Sequence, residues 1–117
     1  MKLAEIVQSL HLGELTPELS DTADTEVTQG YASDLLSDVL AHAPAGSMLV
    51  TLQVHLNVVA VASHADLCGV IFSSHRQPED EVIARAVEEG VPLFVTDADT
   101  FDVVGRLYQL GVQGQTA

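Results

Sequence analysis

Residues 67–73, LCGVIFS, carry apolar side chains almost without interruption. Successive side chains on a strand point to opposite faces, so an unbroken apolar run must be covered on both sides. Such a strand belongs inside a parallel sheet. Parallel neighbours are joined by crossovers long enough to hold a helix. This one run therefore asks the rest of the chain for helices on two faces and for more strands beside it.

The remaining sequence supplies that rhythm. Leu3, Ile6, Val7 and Leu10 recur at helical spacing over residues 2–10. LTPELSDTADT, residues 15–25, is polar, holds Pro17 and reads as a loop. EVTQGYA (26–32) reads as a strand, and SDLLSDVLAHA (33–43) as a helix with Leu35, Leu36, Val39 and Leu40 on one face. Ser33 or Asp34 is its natural N-cap. SMLVTL (47–52) is the next strand. Apolar and polar residues then alternate from Val50 to Val58, which by itself favours one long strand. The crossover requirement argues instead for a strand near 47–52 and a helix near 54–65. That helix is apolar nearly all round, so burial on several sides is expected, a subunit interface among them. SSHRQPED is a polar loop. EDEVIARAVEEG is a helix with Val82, Ile83, Ala86 and Val87 inward, closed by Gly90. VPLFVTD is a strand. DTFDVVGRLYQLG is a helix with Phe101, Val104, Leu107 and Tyr108 on one side, closed by Gly111. The expected fold is α/β: a three-layer-like single domain over residues 1–110, with a mostly parallel sheet of about four to five strands and helices on both faces. Residues 111–117, GVQGQTA, read as a flexible tail.

Composition narrows the partners. Four basic residues against 17 acidic ones give a net charge of −13. Phosphate backbones are held by clusters of Lys and Arg. Nucleic acid and anionic membrane surfaces are therefore excluded as expected partners, and a basic protein partner is favoured. No apolar stretch reaches the roughly 20 residues a bilayer requires, and the start, MKLAEIVQSLHL, does not read as a signal peptide. The single Cys68 lies in an apolar run and reads as a reduced, buried thiol, in keeping with a cytoplasmic protein.

Three stretches resemble the DRTGG domain family: DTEVTQGYASDLLSDVL, TLQVHLNVVAVASHADLCGVIF and TFDVVGRLYQLG. The likeness runs from about Leu3 to Leu110 and is nearest to small stand-alone members. Related domains occur in some phosphotransacetylases, in regulatory regions of certain CBS-domain pyrophosphatases and, more distantly, near the N-terminus of HPr kinases. The resemblance implies an α/β fold and a regulatory role, and it brings no catalytic residues. It also favours the strand-then-helix reading of 47–65. The signature departs from the family pattern. Its Asp-Arg opening corresponds to Asp24 and Thr25, and its Gly-Gly pair to Gln29 and Gly30. Kinase chemistry needs a GxxxxGK[ST] stretch that this sequence does not contain.

In a parallel sheet, ligands bind beyond the carboxyl ends of the strands. The residues expected there are Tyr31, Ser33, Asp34, Thr51, Gln53, His55, Ser74, His75, Arg76, Thr96 and Asp97. Each also has a plainer reading. Gly30 permits unusual backbone angles or a close approach, and Ser33 or Asp34 caps a helix. Arg76 either forks around an anion or pairs with Glu79 or Asp80. Arg85 and Arg106 pair with neighbouring acids. His55, set in an apolar segment, is either a satisfied core or interface residue or a ligand contact. His55, His64 and His75 do not have metal-ligand spacing, and no HExxH, GxSxG or cofactor motif occurs. The sequence thus points first to a non-catalytic regulatory domain, a homodimer, that senses a small anionic metabolite or an adenine nucleotide. An acidic protein-interaction adaptor is second. A small phosphoryl-transfer or hydrolytic enzyme is third.

Overall fold

The computed structural model describes residues 1–115. Five strands form one sheet in the order β1-β5-β4-β3-β2, where β1 is Gly13–Glu14, β2 Gly30–Ala32, β3 Met48–Thr51, β4 Gly69–Phe72 and β5 Leu93–Val95. Strands β2 to β5 run parallel, and the short β1 pairs antiparallel with β5. The helices are α1 (Leu3–Leu10), α2 (Leu36–His42), α3 (Asn57–His64), α4 (Asp80–Glu89) and α5 (Thr100–Gln109).

Two-sided burial builds this sheet as the central apolar run requires. Met48, Val50, Ile71 and Phe94 face one layer and meet Leu3, Ile6 and Leu10 of α1 with Val103 and Leu107 of α5. Leu49, Val70, Phe72 and Leu93 face the other and meet Val39 of α2, Val58, Val59 and Ala62 of α3, and Val82 and Ala86 of α4. Each such side chain is worth about 1.5–3 kcal/mol when fully buried. The α/β expectation, the mostly parallel sheet and the two helical layers are all present.

Several local expectations are corrected. The residues 15–25 are not a plain loop, since Pro17–Thr22 forms a 3-10 turn. Strand β1 just before it is too short to leave a sequence pattern. Helix α3 starts at Asn57, not near 54; within one copy Val58, Val59 and Ala62 are buried and Asn57, Ala60, Ser63 and His64 are exposed. On α2 only Val39 is buried, while Leu35 and Leu40 are 64% and 48% exposed. On α5 the buried stripe is Val103 and Leu107, so Phe101, Val104 and Tyr108 face outward. The tail expectation fails for its first residues. Val112 is buried in the α1/α5 layer, and Gln113 is bonded to the edge of β2, its N–H donating to Thr28 O and its carbonyl accepting from Gly30 N–H. Residues 116–117 lie outside the described residues.

The alternation from Val50 to Val58 has a specific cause. Thr51 Oγ1 accepts the Gln53 N–H at 3.0 Å, Gln53 Oε1 accepts the His55 N–H at 3.1 Å, and His55 Nδ1 accepts the Asn57 N–H at 3.1 Å. Each polar side chain caps the backbone two residues ahead, which gives the chain an alternative to a sheet ladder. The period of two is that of a relay leading into α3, not of a strand.

Candidate functional site

Because β2 to β5 are parallel, their carboxyl ends lie along one rim. Helices α2, α3 and α4 leave that rim toward one layer, and α5 leaves toward the other. The loops after β4 and β5 therefore part to opposite faces. This is the topological condition under which an open sheet forms a ligand crevice.

The rim residues fall into two groups. Around the ends of β2 and β3, Asp34 Oδ1 accepts the Leu52 N–H at 2.7 Å and the Thr51 hydroxyl at 3.0 Å. Asp34 is thus a clasp between two strand ends and not the N-cap of α2, whose N-cap is Leu35 with no side-chain bond. Ser33 Oγ accepts the Leu35 N–H at 3.2 Å. Thr51 is fully buried, and its hydroxyl is shared by Asp34 and Gln53. His55 is exposed and satisfied locally by the Asn57 N–H, which corrects the expectation of a core residue. Tyr31 donates its hydroxyl to Asp38 at 2.8 Å; that bond, helped by desolvation and the carboxylate's charge, pushes the Tyr31 hydroxyl above its ordinary pKa. Gly30 needs no unusual angle, for its φ is not positive; a Cβ there would come within 3.4 Å of Val112.

Around the ends of β4 and β5 the two diverging loops are bound to each other. The Ser74 N–H donates to Ala98 O at 2.7 Å, the His75 N–H to Thr96 O at 2.8 Å, and His75 Nδ1 pairs with Asp97 Oδ1. Ser74 and His75 have φ of 56° and 59°. Two adjacent non-glycine residues in this region cost roughly 1–3 kcal/mol each and persist only where the surroundings fix them. Thr96 Oγ1 accepts the Ala98 N–H at 3.2 Å. Beneath them, buried Ser73 and half-buried Thr100 share a hydroxyl–hydroxyl bond of 2.6 Å. Sequence reading missed this pair. Its signal was the buried-strand position of Ser73 and the polar DADT turn before α5, where Asp99 Oδ1 caps the Asp102 N–H at 2.9 Å. Arg76 is exposed and forms no ion pair with Glu79, Asp80 or any other acid among the described residues. Arg85 pairs with Glu88 at 3.5 Å, whereas Arg106 has no such partner among them.

Two hollows flank these groups. One, about 460 Å³, opens on the α3/α4 side of the rim and is lined by Gln53, His55, Gln77, Glu79, Glu81 and neighbours. The other, about 370 Å³, lies between β2, α5 and the C-terminal segment, with Gly30, Ala32, Val50, Val104, Leu107 and Tyr108 on its walls and no charged lining residue. Both volumes lie within the usual range of small-molecule sites, ~300–1,000 Å³. Of the expected residues, Gln53 and His55 reach the first and Tyr31 the second. No group of His, Cys, Asp or Glu suited to a metal ion occurs among the described residues, and none of their helices is long and apolar enough to cross a membrane.

The segment carrying the degenerate signature sits elsewhere. Asp24 is near Lys2 at 3.6 Å, Thr25 O accepts the Leu3 N–H at 2.8 Å, and Gln29 O accepts the Met48 N–H at 3.0 Å. These residues precede β2 and lie at the amino ends of the strands, across the sheet from the rim.

Among known structures, the chain is similar to the CBS and DRTGG domains of the regulatory region of the Clostridium perfringens pyrophosphatase, solved with the activator diadenosine tetraphosphate. The TM-score is 0.76 at 13% identity, covering 92% of this chain and 46% of that one. The chain thus spans about half the length of that regulatory region, and at this identity the likeness is one of fold. No curated protein sequence matches the chain. The DRTGG domain model matches residues 6–110, nearly the whole described length. This chain belongs to the DRTGG domain family.

Proposed function

We propose that this protein is a non-catalytic, cytoplasmic regulatory domain that senses a small anionic metabolite or an adenine nucleotide at the carboxyl rim of its sheet. The observation that carries the reading is the split between the β4 and β5 loops. There two left-handed residues, Ser74 and His75, stand beside Arg76, a cation without an ion-pair partner among the described residues. Arg76 would hold the anionic group through its planar fork. Asp34 is engaged with Leu52 and Thr51, whereas the Gln53 amide NH2, the Thr96 hydroxyl hydrogen and His75 Nε2 keep no partner among the described residues and are the adjustable polar contacts. The nucleotide part leans on the activator of the Clostridium pyrophosphatase region and is an analogy of fold. Self-association as a homodimer belongs to the same reading, supported by five large apolar side chains left exposed: Leu35, Leu40, Phe101, Val104 and Tyr108.

Titration calorimetry with AMP, ADP, ATP and diadenosine tetraphosphate tests the ligand. Saturable heat that is lost in Arg76→Ala, with an unchanged far-UV spectrum, is the expected result. No heat with any of the four removes the nucleotide reading. The net charge of −13 favours a second reading, an adaptor for a basic protein. That reading requires a complex that weakens steeply with added salt.

A further inference from the structure

Helix α5 has two apolar stripes. The inner one, Val103 and Leu107, is buried in the core. The outer one runs Phe101, Val104, Gly105, Tyr108, a spacing that lines up one face of a helix. Phe101 is 87% exposed and Tyr108 61%, so most of each ring is left open to solvent.

We propose that the outer stripe of α5 is covered by the same stripe of a second copy, as an antiparallel α5–α5 pair about a two-fold axis near Val104 and Gly105. The inference rests on the self-association proposed above and gives it a surface. Three observations support a second copy as the occupant.

The first is symmetry. With the axis between Val104 and Gly105, Phe101 of one copy faces Tyr108 of the other, and Val104 faces Gly105. A closed dimer needs a patch that is complementary to itself in this way. Phe101, a ring with little of its own chain around it, then meets Tyr108 at the mouth of the uncharged 370 Å³ groove that Tyr108 lines.

The second is Gly105. A Cβ at this position would meet nothing within 4 Å, and its φ is not positive. Glycine inside a helix weakens it relative to alanine. Nothing within the fold asks for glycine here, whereas the close approach of a second helix does.

The third is charge. Each copy carries −13, so two copies repel over most of their surface. Neither the stripe nor the adjoining groove contains a charged residue. A like-charged copy can approach over such a face, and a basic partner would gain little from it. The two exposed rings supply roughly 300 Å² per copy, about half of what the smaller specific interfaces bury. Val104, 39% exposed, and Gly105 add a smaller area, so the contact stays below the standard size and a dimer that dissociates on dilution is expected.

Light scattering and sedimentation over a concentration series test this, using the wild type, Gly105→Glu, Phe101→Ser and a control, Ala84→Glu, which adds the same charge on the exposed face of α4. Wild type and control should reach twice the 12.4 kDa chain mass with the same dissociation constant. Gly105→Glu should raise that constant by about ten-fold or more, while its helical signal is kept. A wild type that stays at 12.4 kDa at high concentration overturns both self-association and the stripe. A wild-type dimer that persists unchanged in Gly105→Glu and Phe101→Ser overturns the stripe alone.

Discussion

Asp34 sits where sequence reading expects a helix cap, and the fold uses it as a clasp. The substitution Asp34→Ser separates the two roles. Serine caps a helix about as well as aspartate, so a capping role predicts a change within about 0.5 kcal/mol. The clasp predicts more. Asp34 Oδ1 holds the Leu52 N–H at 2.7 Å and the Thr51 hydroxyl at 3.0 Å, and a serine side chain is too short to span to the end of β3. Hydrogen bonds to a charged acceptor contribute roughly 1.5–3 kcal/mol each. The loss is softened because Thr51 keeps its bond to the Gln53 N–H and Leu52 is only half-buried. A net destabilisation of about 2–3 kcal/mol remains, a large share of the ~5–15 kcal/mol by which such domains are stable. The chain has no Trp, so urea unfolding is best followed by far-UV circular dichroism. The midpoint should fall at constant slope. Ser33→Ala, which loses the Leu35 N–H contact and the long hydroxyl bond to Leu35 O, should cost about 0.5–1 kcal/mol. An Asp34→Ser variant as stable as wild type, with Ser33→Ala the more damaging, would refute the clasp.

Two further outcomes are expected. Ser74 holds φ of 56° without a side-chain hydrogen bond among the described residues, so Ser74→Gly should raise stability by about 0.5–1 kcal/mol in the same assay; a loss would mean that the left-handed turn is not strained. Burial pushes the Cys68 thiol up to about 12. A raised thiol pKa contributes stability that is full below the unfolded value near 9 and is lost as pH rises toward 12. Wild type should therefore lose thermal stability between about pH 9 and 12 faster than Cys68→Ala, and parallel curves would contradict the desolvation of the thiol.

Much of the scaffold was legible because it rests on short-range constraints. The unbroken run at LCGVIF demanded cover on both faces, and β4 is buried throughout. Gly90 and Gly111 mark helix ends, and both have positive φ. The strand-end residues share one rim because parallel strands leave no other arrangement. Which side of a helix faces in was less legible. Helix α5 carries apolar residues around much of its circumference, and periodicity cannot choose between a stripe headed by Phe101 and one headed by Val103. Packing against β3 and β2 chose Val103 and Leu107. Likewise Thr51, Gln53 and His55 copy the period of a strand while serving as local caps, because a side chain bonding two residues ahead has the same repeat.

By itself, then, the sequence determined the class of fold, the direction of the sheet and the edge at which its loops gather, since these follow from apolar patterning and chain connectivity. Only the tertiary structure decided that Asp34 joins strands, that Ser73 meets Thr100, that the signature residues lie at the far edge from the rim, and that α5 turns an aromatic stripe to the outside. Those outcomes depend on contacts between residues distant in the chain, and no local pattern encodes the position of a partner that another element must bring.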